Sequence, residues 1–145
     1  MKPFQLDKVL DHRKRLEDIT ANRLSEAKRQ VSLIRQKLFE ADCGLKSLIE
    51  KTEELQSSPI SILDLINYED QILHQKKNIT AIKKKLQEKN KTLQLERQHL
   101  IEKSRDRQIL QSLKEKQNSS WKQYLEKKEV SMLDEIAIVR HDTER

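Results

Sequence analysis

The chain has 145 residues, 37% of them charged, with 3% aromatics, one glycine and two prolines. A globular domain of that length uses far more glycine in its turns and more large apolar side chains in its core. With 34% hydrophobic residues and a mean hydropathy of −0.90, the chain cannot fill a β-sandwich or an α/β sheet. Lys and Arg outnumber Asp and Glu by 30 to 24, a formal charge of +6 that favours an acidic partner without identifying one.

Lys, Glu, Gln, Leu and Arg dominate what remains, and these are strong helix formers. The reading is an all-α, elongated chain. A first helix is predicted from Pro3, since proline is favoured at the first helical position. From Leu24 the apolar residues fall at Ala27, Val31, Ile34, Leu38, Ala41, Leu45, Leu48 and Leu55, in alternating steps of three and four with only Thr52 interrupting. That is the narrow seam of a coiled coil. Upstream, Leu6, Val9, Leu16 and Ile19 lie on a displaced stripe, which predicts a change of phase near residue 20. Gly44 is a soft spot costing about 1 kcal/mol relative to alanine, but the periodicity runs through it and one helix is kept.

At 57–61 the sequence reads SSPIS. Proline disfavours helix at the residue before it and cannot donate to a preceding turn, so the first helix is predicted to end near residue 57. Ser58-Pro59 is a good start for the next helix, with Ser61-Ile62-Leu63-Asp64 as an alternative capping box. The second helix, about 59–143, carries Leu65, Ile72, Ile79, Leu86, Leu93 and Leu100 at strict seven-residue intervals. Its other seam positions are mostly polar: Tyr68, Gln75, Ile82, Lys89, Glu96 and Lys103. So weak a seam leans on a fixed partner. The stripe resumes past Leu113 as Trp121, Leu125, Met132, Ile136 and Val139. A connection of a few residues makes antiparallel neighbours, predicting a single helical-hairpin domain over 1–145. The rival is a pair of collinear helices that join another chain.

At about 1.5 Å per residue the arms span roughly 80 Å and 125 Å. Leu6 then lies opposite roughly residue 110, and the second helix overshoots by about thirty residues. The overhang holds Trp121, Tyr124, Leu125, Met132, Leu133, Ile136 and Val139, apolar surface expected to dock unless it bends back or dimerises. A second exposure lies toward the turn: Leu33, Phe39, Ile49, Ile66 and Leu73 fall off the seams. They either widen the seam or form a second partner surface on the flank.

Catalytic signatures are absent from the sequence. A phosphate-cradling loop needs several glycines, and there is only Gly44. His12, His74, His99 and His141 are scattered without companions at ligand spacing, and Cys43 has no histidine base in view. The expectation is a non-enzyme without cofactor or metal. A lone cysteine and a start lacking a signal peptide's apolar run predict a cytoplasmic protein; the glycosylation patterns at Asn78 and Asn118 then go unread. The basic runs at 12–15 and 83–85 read as solvated coiled-coil faces rather than nucleic-acid sites, having no aromatic neighbours for base stacking.

Three segments carry a resemblance. FQLDKVLDHRKRLEDITANRL at 4–24, INYEDQI at 66–72 and KKEVSMLDEIAIVR at 127–140 resemble the FliJ family of flagellar export proteins. The resemblance implies an antiparallel two-helix coil similar to the γ-subunit stalk of rotary ATP synthases. It implies a stalk in the pore of the hexameric flagellar export ATPase that promotes ring assembly, contacts the export-gate platform protein and helps recycle export chaperones. Such a protein is cytoplasmic, only peripherally associated with the membrane at the flagellar base. Carried over by motif, Phe4, Leu6, Val9, Leu10, Arg13, Asp134, Glu135 and Ile136 belong to the ring end, joined by Trp121 and Met132 of the overhang. The gate contact falls on Phe39, Ile49, Tyr68 and Leu73, where Glu69 and Asp70 dilute any basic character. Alternatives are the equivalent stalk of a virulence-type secretion system and a self-associating coiled-coil scaffold.

Overall fold

The computed structural model describes residues 4–57, 59 and 61–143. Helix α1 runs Asp7–Gln56, 50 residues, and α2 runs Ile62–Thr143, 82 residues. They pack against each other, α2 is the longer, and no strand occurs among the described residues.

Both helix starts differ from expectation. Pro3 lies outside the described residues, and Phe4–Leu6 form a turn in which the Asp7 amide donates to the Phe4 carbonyl at 3.1 Å. The first helical bond is Leu10 N–H to the Leu6 carbonyl at 2.8 Å, so the helix is laid down from Leu6, with the Asp7 carboxylate in its first turn. For α2 the alternative cap prevails. The Ser61 hydroxyl oxygen accepts from the Leu63 amide at 3.2 Å, the Ser61 carbonyl accepts from Leu65 N–H at 3.2 Å, and Pro59 stays outside the helix. A serine oxygen satisfies an amide that proline, at the first position, leaves untouched.

Packing groups the chain into two units: Thr20–Leu100, and Met1–Ile19 with Ile101–Arg145. In the first unit Leu24, Ala27, Val31 and Leu93 form a buried cluster, with Leu86 and Leu100 against it. Further along, Gln75 donates its side-chain amide to the Ala41 carbonyl at 3.0 Å. Residue numbers fall along α2 as they rise along α1, so this pair is antiparallel. Thr52, the interruption in the apolar seam, is buried and donates its hydroxyl to the Leu48 carbonyl at 2.7 Å. Its polar atom is satisfied within its own helix, which makes the burial tolerable.

In the second unit, among the described residues, Leu10, 1% exposed, and Leu110 are the buried apolar residues. The Arg13 guanidinium donates to the Asp106 carbonyl at 2.8 Å, Glu17 accepts from Ser104 at 3.3 Å and from Arg107, and Lys114 pairs with Asp7 at 2.9 Å. This pair is antiparallel as well.

These contacts correct one reading. No change of phase occurs near residue 20. Buried or half-buried residues recur at Leu10, Arg13, Glu17, Thr20 and Leu24, in steps of three and four that continue the downstream seam without a break. Of the displaced stripe, Leu6, Val9 and Ile19 stand 42%, 41% and 48% exposed, and only Leu16 is half-buried. Charged residues occupy the upstream seam, so following apolar residues alone leads off it.

Candidate partner-binding surfaces

The start of α1 divides its conspicuous residues between two tasks. Leu10 and Arg13 are used inside the helix pair, the one by burial and the other by its bond to Asp106. Leu6 and Val9 face outward, and Phe4 is half-buried just ahead of the helix.

On α2 the seam continues by threes and fours through Arg107, Leu110, Lys114 and Gln117 to Trp121. Trp121 is half-buried at the last seam place, its ring stacked on Tyr124 at a centroid distance of 5.4 Å and an angle of 24°. From 122 to 142 every residue is exposed. At about 1.5 Å per residue that is some 30 Å of helix. Leu125, Met132, Leu133, Ile136 and Val139 are among its exposed apolar side chains.

The geometry of this tail differs from a simple continuation of the coil. Extending the seam beyond Trp121 gives Tyr124, Lys128, Ser131, Glu135 and Ile138. The residues Leu125, Met132, Ile136 and Val139 each fall one place further on, about 100° around the axis. The tail's apolar stripe therefore faces a different direction from the seam. Asp134 and Glu135 are exposed along the same turns as Met132 and Ile136.

The flank residues lie in the Thr20–Leu100 unit. Phe39 is 69% exposed, and Ile49 and Leu73 are exposed as well. Tyr68 sits at a seam place and is half-buried, so only part of it is presented to a partner. The structure keeps these four residues in one unit and Phe4, Leu6, Val9, Leu10, Arg13, Trp121, Met132, Asp134, Glu135 and Ile136 in the other.

A family model, described as flagellar FliJ protein, matches residues 1–145, the whole chain. The chain belongs to the FliJ family. No curated protein matches it, and no solved structure does. FliJ-family membership gives it a role in flagellar protein export.

Among the described residues, no group of three or more His, Cys, Asp or Glu is arranged to hold a metal, and no helix is long and apolar enough to cross a membrane. Hydrophobic patterning overlooked the polar seam contacts of Glu17, Ser104 and Arg107. Stepping backward from Leu24 by four and three would have reached Thr20, Glu17 and Arg13, so the signal was present in the spacing rather than in the polarity.

Proposed function

We propose that this FliJ-family chain is a non-catalytic stalk that docks into the flagellar export ATPase hexamer and couples it to the export gate and to substrate chaperones. Support for the docking comes chiefly from the tail of α2, whose apolar stripe is turned away from the seam and lies in water. A lone helix carrying that much apolar surface is suited to burial against a partner. The ring contact falls on Met132, Asp134, Glu135 and Ile136, with Leu6 and Val9 of α1 and the rims of Phe4 and Trp121. Leu10 and Arg13 contribute by holding α1 in place.

The flank residues Phe39, Ile49 and Leu73, with the exposed part of Tyr68, make the gate contact. Location follows from these partners: the cytoplasmic side of the flagellar base, in peripheral association with the membrane. Ring assembly is promoted by linkage, because a ligand that binds the hexamer better than the monomer shifts the equilibrium toward hexamer.

The test is hydrolysis by the export ATPase with and without this chain. The intact chain is expected to stimulate it, while chains truncated after Leu125 or carrying Ile136→Asp do not, at unchanged helix content. Equal stimulation by intact and truncated chains overturns the reading.

A further inference from the structure

Within the Thr20–Leu100 unit, α2 carries a strip of lysines with no acid among them. In α2 the places one and two on from the seam residues Gln75, Ile82 and Lys89 hold Lys76, Lys77, Lys83, Lys84, Asn90 and Lys91. The next such pair is Arg97 and Gln98, so no acid occupies this strip from 76 to 98. The five lysines are all exposed and none makes an ion pair. On the matching edge of α1, Arg35 is exposed, and the antiparallel register set by Gln75 and Ala41 brings it to about the level of Lys83.

Coiled coils ordinarily place opposite charges at the places flanking the seam, where Lys76 and Lys83 stand, while Lys77, Lys84 and Lys91 lie further out on the solvent face. Helix pairing requires no charge at any of these five places. Asp42, near the level of Lys76, is the acid on that α1 edge, and it too makes no ion pair.

We propose that this lysine edge is a docking face for an anionic membrane surface. Its lysines recur every seven residues, about 10.5 Å apart along the helix, so several can meet a flat sheet of headgroups together. The residues are lysines, compact hydrated charges, whereas arginine has the fork that grips a single phosphate from two sides. Two exposed apolar side chains adjoin them: Phe39, one turn on from Arg35, and Leu73, one turn before Lys76 and Lys77. Lysines beside a few apolar side chains suit the headgroup boundary of a bilayer. A single-stranded nucleic acid requires successive aromatic platforms, and this edge offers one ring.

Vesicle binding is read with the chain alone, so it is scored apart from ring and gate binding, although Phe39 and Leu73 also belong to the proposed gate contact. The measurement is co-sedimentation of the full chain with vesicles of phosphatidylcholine, with and without phosphatidylglycerol, at low and at physiological salt. Binding is expected only with phosphatidylglycerol and is expected to weaken as salt rises. Each lysine near such a surface multiplies affinity about fivefold, so Lys77→Gln, Lys84→Gln and Lys91→Gln together should weaken binding on the order of 100-fold. Arginine at the same three places should retain it.

A control removes the same charge elsewhere on exposed positions, as Lys8→Gln, Lys14→Gln and Lys51→Gln, and should weaken binding far less. Circular dichroism verifies that helix content is unchanged in every variant. The proposal is overturned if the two glutamine triples weaken binding equally, if neither does, or if single- or double-stranded nucleic acid binds the edge more tightly than the vesicles.

Discussion

Glu96 occupies a seam place of α2, with a carboxylate oxygen that is buried and accepts no hydrogen bond; the His99 Nδ1 lies 3.7 Å from it. An unsatisfied buried polar atom costs about 1–3 kcal/mol. Glu96→Leu is therefore expected to raise the unfolding free energy by about 1–2 kcal/mol, measured by urea denaturation. Glu17 is the opposite case: it is half-buried but answered by Arg107 and Ser104, and Glu17→Ala should cost about 1–2 kcal/mol by leaving Arg107 without its partner. Glu26 is exposed, and hydrogen bonds from Arg29 and then Gln30 hold its carboxyl at about 2, down from 4.5. A depressed carboxyl stabilises the fold above its unfolded value and loses that contribution as pH falls through the folded one. The Glu26 resonance should therefore still be ionised at about pH 3, and Arg29→Gln should move its midpoint upward. None of these three environments can be told from residue type alone. All are glutamates on a helix, and only the packing separates a strained one from a satisfied one.

At the scale of elements, Gly44 gives a clean test. It is half-buried inside α1 with no positive backbone φ, and a Cβ there would meet the Gln75 amide nitrogen at 3.4 Å. That is ordinary contact with the end of a flexible side chain. Gly44→Ala should stabilise the chain by about 0.5–1 kcal/mol through helix propensity, whereas Leu10→Ala should cost about 2–4 kcal/mol by opening a cavity; thermal unfolding of the two variants reads both. Much of this level was legible beforehand. The stretch Leu24–Leu55 could be read because its seam is apolar, and the seven-residue spacing from Leu65 to Leu100 marked α2. The stretch from Leu10 to Thr20 does not read the same way, because Arg13 and Glu17 hold seam places that are apolar further along α1. The starts at Asp7 and Ile62 were misplaced because a turn at Phe4 and a serine cap at Ser61 override the preference of proline for a first turn.

For the molecule as a whole, the end of α2 stands outside the helix pairing. Every residue from 122 to 142 is exposed, so truncation after Trp121 should leave the unfolding free energy within about 0.5 kcal/mol of the intact chain, as denaturant melts can check. A larger loss would mean that the tail folds back onto the pair. That the second helix overshoots could be foreseen from the lengths of the two arms. The direction in which its apolar stripe points could not, because it depends on where the seam ends, and that is set by the start of α1. The quarter-turn between stripe and seam carries a consequence of its own. On the proposed docking, a protein gripping the tail uses Met132 and Ile136, side chains that the pairing with α1 leaves alone. Substitutions at Met132 or Ile136 are then expected to retune the grip on a partner while the hairpin melts as before.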